Sequence, residues 1–290
     1  SQMLYHLLLL ALASTAAAQS CGRVYLNEQS AASAMAFAAN LTGAGNAAGI
    51  QTGEAMVGGV QASPGSWPWV VSICEKDWFG SCVFQGQGAI ISQNYVITAA
   101  TAISGSKASN YYVRVGTLDN GSGGHLIQVA NLWFTSNSNT YDNICILQLG
   151  QPIQFNNYAQ PICLPASDDG MMTPGNTAWF TAWGHSTNVG TIQTNLHQAK
   201  MPFVNNNICS NKYSTFHTNT QFCAGGDGVT TCDNDKGGPL VNKKNGVWYL
   251  YGISDTHDYA IHGCNSATVF SRVTYFCNWI SNNADVSCIN

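Results

Sequence analysis

From residue 57 onward the chain is written in short runs of β-branched and aromatic residues, each cut off by Gly, Asn, Ser or Pro. That texture limits the fold more than any other feature. The runs at 89–98, 111–116, 125–134, 143–149, 177–183 and 247–253 have the length and punctuation of strands, as an all-β barrel or sandwich requires. Only 274–283 places apolar side chains, Phe276, Trp279 and Ile280, at the spacing of a short amphipathic helix. A long all-β region closed by one terminal helix fits two packed six-stranded barrels. The length of 290 residues admits one large all-β domain or two smaller ones, either able to bury a core.

The first 55 residues have a different character. Met3-Leu4-Tyr5-His6, the apolar run 7–13 and Ala16-Ala17-Ala18 before Gln19 follow the order of a secretory signal peptide, assigned to 1–18. The apolar run is far shorter than the roughly 20 residues that span a bilayer. Residues 19–55 are rich in Ala, Gly, Gln and Asn, without a periodic face to bury, and read as a propeptide-like tether. Eleven cysteines in a secreted chain imply a disulfide framework with one thiol left over. Spacing alone leaves the pairing open. No cysteine pair stands at zinc-like distances from histidines. Charged residues are 8% of the chain against roughly 25% in a typical domain, and 28 asparagines outnumber the 14 acidic residues. A net charge of −4 with no Lys/Arg run argues against nucleic acid or an acidic membrane as partner.

A series of motifs then arrives in a fixed order. Val57-Gly58-Gly59 precedes Pro64-Gly65-Ser66-Trp67-Pro68-Trp69-Val70-Val71-Ser72; later come Val96-Ile97-Thr98-Ala99-Ala100, Asn143-Ile144-Cys145-Ile146-Leu147, Pro161-Ile162-Cys163-Leu164-Pro165, Ala182-Trp183-Gly184 and Phe222-Cys223-Ala224-Gly225. Cys232-Asp233-Asn234-Asp235-Lys236 leads into Gly237-Gly238-Pro239-Leu240, and Phe270-Ser271-Arg272-Val273 into the final helix. The set resembles the landmarks of chymotrypsin- and trypsin-like serine proteases over about 235 residues, 56–290. The resemblance implies the double-barrel fold of that family. It calls for no cofactor and no metal.

Active relatives need a hydroxyl nucleophile, an imidazole to take its proton and a buried carboxylate to orient the imidazole. At those three places this chain carries Lys236, Thr101 and Asn143. Threonine has no group that titrates near neutrality, asparagine has no histidine to orient, and lysine beside Asp235 stays protonated. Asp142 is one residue from the aspartate position, where alternation on a strand turns it the other way. Asn234 replaces a glycine whose amide faces the reacting carbonyl, and a side chain there is expected to change the loop. By the resemblance, Thr230 and Thr231 lie at the base of the specificity pocket, Asp255 and Thr256 replace its Trp-Gly wall, and Thr268 replaces a second glycine. The slot is expected to be narrowed or filled.

The resemblance also orders the cysteines. Two family bridges are lost at both ends, at Gly86 with Ala102 and at Ala178 with Asn242. It retains Cys209 with Cys223 and Cys232 with Cys264, and Cys21 with Cys163 resembles the link from propeptide to domain. Cys74 with Cys82 and Cys277 with Cys288 are local pairs outside that set, which leaves Cys145 as a buried free thiol on an apolar strand. The bond before Met56 follows Ala55, and no Lys or Arg occurs between Arg23 and Lys76, so a trypsin-type enzyme has nothing to cut. The chain is expected to stay uncleaved there, with Asp235 paired to Lys236 or another local donor. Asn40 and Asn120 begin N-glycosylation patterns. His257 and His262 near Asp255 read as exposed loop histidines, not metal ligands, and Trp67, Trp69, Trp183, Trp248 and Trp279 as core rather than a carbohydrate platform.

Three functions follow, in order. The first is a secreted serine protease homologue without catalysis that binds extracellular proteins, possible roles being cofactor, decoy or regulator of a proteolytic cascade. The second is a structural component of an extracellular matrix or secretion, which the low charge and amide-rich surface suit. An active hydrolase with a displaced constellation ranks last, because no histidine is close in sequence to Lys236 or Asn143.

Overall fold

A computed structural model of the chain describes residues 21–25, 58–105, 107–135, 142–185, 192–226, 228–255, 264 and 266–290. After a two-residue strand β1 (Val60–Gln61), the strands β2 (Val70–Lys76), β3 (Cys82–Ile90), β4 (Tyr95–Thr98), β5 (Tyr111–Val115), β6 (His125–Phe134) and β7 (Cys145–Leu149) close a barrel in the order β2-β3-β4-β7-β6-β5. Its walls are antiparallel throughout. Alternation sets which face turns inward: in β5, Tyr111, Val113 and Val115 are buried while Tyr112 and Arg114 are partly exposed, as period-two geometry dictates.

The second unit follows a short strand β8 (Leu164–Pro165), which pairs with the terminal β15 (Cys288–Ile289). It consists of β9 (Thr177–Ala182), β10 (His197–Pro202), β11 (Gln221–Ala224), β12 (Pro239–Lys244), β13 (Val247–Asp255) and β14 (Thr268–Arg272), in a seven-stranded sheet ordered β1-β10-β9-β12-β13-β14-β11. The second barrel expected from the sequence is therefore closed more loosely than the first. An isolated bridge between Phe203 and Ala224 brings β11 back to the end of β10, so six strands curl into a barrel and β1 adds a seventh at the rim. Inside, Phe222 stacks on Phe270 at 5.5 Å between ring centroids, and Phe180 meets Phe270 edge-on at 5.7 Å.

Two helices are present among the described residues: α1 (Asn206–Lys212) and α2 (Val273–Asn283). The second is the terminal helix read from apolar spacing, burying Val273, Phe276 and Ile280. The first was missed, because seven residues with one buried side chain leave no periodic signal. It is held at its ends instead: Asn205 accepts the Asn207 amide as an N-cap, and Cys209 is bonded to Cys223. Between the two units, Trp67 lies 5.2 Å from Trp248 and 5.8 Å from Trp179. Trp67 and Trp69 lead into β2 and are buried, so this part of the tryptophan set is a packing seam. Among the described residues no helix is long and apolar enough to cross a membrane.

Candidate functional site

Strands β4 and β7 are neighbours, with Thr98 opposite Cys145. That register brings the turn after β4 against the residues leading into β7. Thr101 sits in a one-turn 3-10 helix, Ala100–Ala102, and Asn143 just ahead of β7 is 1% exposed. The Asn143 Oδ1 accepts the Thr101 backbone amide at 2.9 Å, and its Nδ2 donates to the Thr101 hydroxyl at 3.0 Å. One carboxamide thus engages both the backbone amide and the hydroxyl oxygen of Thr101. Asp142 is not on a strand, as alternation had assumed, but in the extended lead-in, where its carbonyl accepts the Thr135 hydroxyl.

Lys236 reaches the same place from the second unit. Its carbonyl accepts the Gln87 amide at 3.0 Å, which fastens it to β3. Gly86 next to it has no side chain, and a Cβ there would stand 2.8 Å from the Lys236 carbonyl oxygen and 2.9 Å from the Ala102 Cβ. Residues 86, 101, 102, 143 and 236 are therefore gathered in one place, where the two units meet. Of the three side chains at 101, 143 and 236, none is an imidazole or a carboxylate.

The loop leading to Lys236 keeps a demanding backbone. Asn234 has φ +67°, a left-handed conformation that asparagine tolerates better than most residues. The Asn234 side-chain amide nitrogen lies 3.1 Å from His185 Nε2. Gly237 has φ +79°. The amides of Gly237 and Gly238 are anchored to Ser254, at its carbonyl and its hydroxyl, and the Ser254 hydroxyl donates to the Asp235 carbonyl. Asp235 is fully buried. Its carboxylate accepts the Cys232 amide at 2.7 Å and the Gly184 amide at 2.9 Å, so the local donors are backbone groups and not Lys236. Burial pushes its pKa up to about 8, against the pull of those two amides. Sequence reasoning missed Gln87, Gly184, His185 and Ser254, whose roles depend on contacts across 16 to 96 residues and leave no local signal.

The pocket positions converge as well. Thr230, Thr231 and Thr268 are all at most 2% exposed. The Thr268 hydroxyl lies 3.2 Å from that of Thr230 and 2.9 Å from that of Thr231, and Thr230 also donates to the Ser266 carbonyl. The three hydroxyls thus hydrogen-bond one another and backbone. Asp255 is buried at the end of β13, opposite Val269, and faces Gln221, whose side-chain amide donates to it at 3.3 Å. Thr256, His257 and His262 lie outside the described residues, as does Asn40.

A profile of the Trypsin family matches residues 56–280. The chain belongs to the trypsin family. Among its relatives, chymotrypsin-like elastase family member 1 of Rattus norvegicus is 32% identical over 248 residues, covering 80% of this chain and 90% of the relative. The protein of the same description from Macaca fascicularis is 31% identical over 246 residues, with the same coverage.

Within that trypsin-family frame the cysteines pair as Cys21–Cys163, Cys74–Cys82, Cys209–Cys223, Cys232–Cys264 and Cys277–Cys288. Cys145 is free and buried, and burial holds its thiol far above the ordinary range. Where the family would bridge residues 86 and 102, a Cβ added at Gly86 would stand 2.9 Å from the Ala102 Cβ, closer than the 3.5–4.5 Å of a disulfide. At the second lost pair, just beyond the register of Leu240 opposite Phe180 and Val241 opposite Trp179, Asn242 donates to the Thr177 carbonyl at 2.6 Å. Asn120 is half-buried, its amide nitrogen donating to the Gln193 carbonyl at 2.8 Å. Among the described residues no group of three His, Cys, Asp or Glu side chains is placed to hold a metal.

Proposed function

We propose that this trypsin-family protein is a secreted, non-catalytic homologue that acts by binding other extracellular proteins. The observation that carries the reading is the reciprocal pair of hydrogen bonds between Asn143 and Thr101. Those residues hold the positions of the acid and the base, and they spend their polar groups on each other. Lys236 stands at the nucleophile position with no imidazole beside it among the described residues; the described histidine near the loop, His185, contacts Asn234. Without a base to take a proton, acyl transfer lacks its first step.

Secretion is supported by the leader-like residues 1–18, by five disulfides and by the elastase-family relatives. Residues 19–55 then form a tether and 56–290 the domain. With turnover absent, the barrel loops remain as a recognition surface, which suits a regulator of a proteolytic cascade. The low charge also suits a structural role in a matrix or secretion.

A fluorophosphonate probe that labels serine hydrolases is the direct test, with no covalent adduct expected; labelling of any residue overturns the reading. Rebuilding the site with Thr101→His, Asn143→Asp and Lys236→Ser together is expected not to restore normal peptide hydrolysis, since the threonine-filled pocket persists. Hydrolysis at the rate of an active relative would show the pocket to be open.

A further inference from the structure

The tip of the hairpin between β2 and β3 displays two of the largest apolar side chains in the chain. Trp78 is 96% exposed and Phe79 is 89% exposed. A hydrophobic pair that bare is costly in a free monomer, and rigid aromatic anchors of this kind are what buried interface centres use. The tip is held in shape. The Asp77 carboxylate accepts the amides of Phe79 at 2.9 Å and Ser81 at 2.8 Å, the Asp77 amide donates to the Ser81 carbonyl, and Cys74–Cys82 ties the two strands below it. Lys76 is engaged over the Tyr112 ring at 4.2 Å. Little ordering entropy remains to be lost when the tip docks.

At the other end of β3 the surface is hollow. The turn that follows the strand, residues 91–94, forms one wall of a cleft of about 560 Å³, within the range of sites that take a bulky apolar group. Its lining includes Ile91, Phe155, Pro161, Ile162 and Leu164, and its rim carries Asp285. Those apolar side chains share the lining with Ser92, Gln93, Asn94 and Ser287, and the Asp285 carboxylate offers an acceptor for an indole N–H that leaves water. Nine residues separate the two ends of the strand, roughly 30 Å at the rise of an extended chain.

We propose that the Trp78–Phe79 tip of one molecule inserts into this cleft of a second copy, so that the protein associates head to tail. Knob and hole at opposite ends of one strand cannot satisfy each other within a molecule, and their pairing between molecules leaves a free knob and a free hole. Such a contact extends rather than closing. Each aromatic ring buries on the order of 150–250 Å², which is less than a stable standard interface buries per partner. Assembly is therefore weak at each step and appears only at high concentration. The net charge of −4 on a 30.9 kDa chain sets little repulsion against it. The association is independent of whether the cleft at Lys236 has activity.

Sedimentation velocity of the full secreted chain, from low micromolar to several hundred micromolar, tests this. The expected result is a weight-average sedimentation coefficient that rises past the dimer without a plateau. Trp78→Ser, which removes only an exposed ring, is expected to weaken association at least tenfold, and Ser92→Trp at the mouth of the cleft to do the same. Mixed one to one, these two variants retain one knob and one hole between them and are expected to form a dimer that grows no further. A wild-type chain that stays monomeric throughout, one that stops at a dimer, a Trp78→Ser variant that associates normally, or variants that fail to complement each other would each overturn the proposal. Circular dichroism on both variants keeps misfolding from being read as lost contact.

Discussion

The two walls around Lys236 are held in different ways. On the first-barrel wall side chains do the holding: Asn143 and Thr101 bond each other, and Gly86 leaves no room for a side chain against Lys236 and Ala102. On the second-barrel wall the backbone does the holding, with the left-handed turns at Asn234 and Gly237, the ties to Ser254 and the buried side chain of Asp235. Side-chain chemistry is exchanged residue by residue, whereas a loop that closes the junction of two barrels carries packing that cannot be given up piecemeal. One wall rests on hydrogen bonds between side chains, the other on backbone conformation.

Gly237→Ala should have the largest effect. An added Cβ would overlap the Gln87 carbonyl and the Thr98 hydroxyl, at a φ that disfavours any side chain, so a loss above about 4 kcal/mol is expected. Urea midpoints, or failure to obtain folded protein, would show it. Asn143→Ala comes next, leaving the Thr101 amide without its partner and costing about 1–3 kcal/mol. If Asn143→Ala proved the more damaging of the two, the contrast between a backbone-determined wall and a side-chain-determined wall would break.

Asp235 gives a subtler, pH-dependent effect. Its folded pKa of about 8 lies above the unfolded value of about 3.9, so the folded state holds the extra proton between those limits. Stability from this group is full below about pH 4, falls as pH rises toward about 8 and levels off beyond it. Asp235→Asn is expected to flatten that slope in denaturation midpoints taken from pH 5 to 9, and an unchanged slope would locate the titration elsewhere. Asn234→Gly should be the smallest, within about 0.5 kcal/mol, since glycine takes the same φ and only the His185 contact is lost. A larger loss would give the Asn234 side chain a holding role that the second wall does not otherwise assign to side chains.

Most strands were legible in the sequence because a barrel wall with one buried face must alternate, as β5 does. The terminal helix was legible for the same reason in its own period. Helix α1 was not, since a cap and a disulfide define it rather than a face. At the cleft, residue identities could be placed by resemblance, but the bond from Asn143 to Thr101 joins positions 42 residues apart and depends on the β4–β7 register. The threonine positions could be named by resemblance; that the hydroxyls of Thr230 and Thr231 both reach that of Thr268 required coordinates. Trp78 and Phe79 left no signal in the sequence, since exposure at a hairpin tip depends on where the two strands turn.

The Cys21–Cys163 bond spans 142 residues and encloses the whole stretch between the leader-like segment and the first barrel. A cut anywhere from residue 26 to 57 would therefore change the number of chain ends without changing the number of particles. The fragment ending at the cut would travel with the barrels until a reductant released it, and only a reducing gel would reveal that the cut had been made.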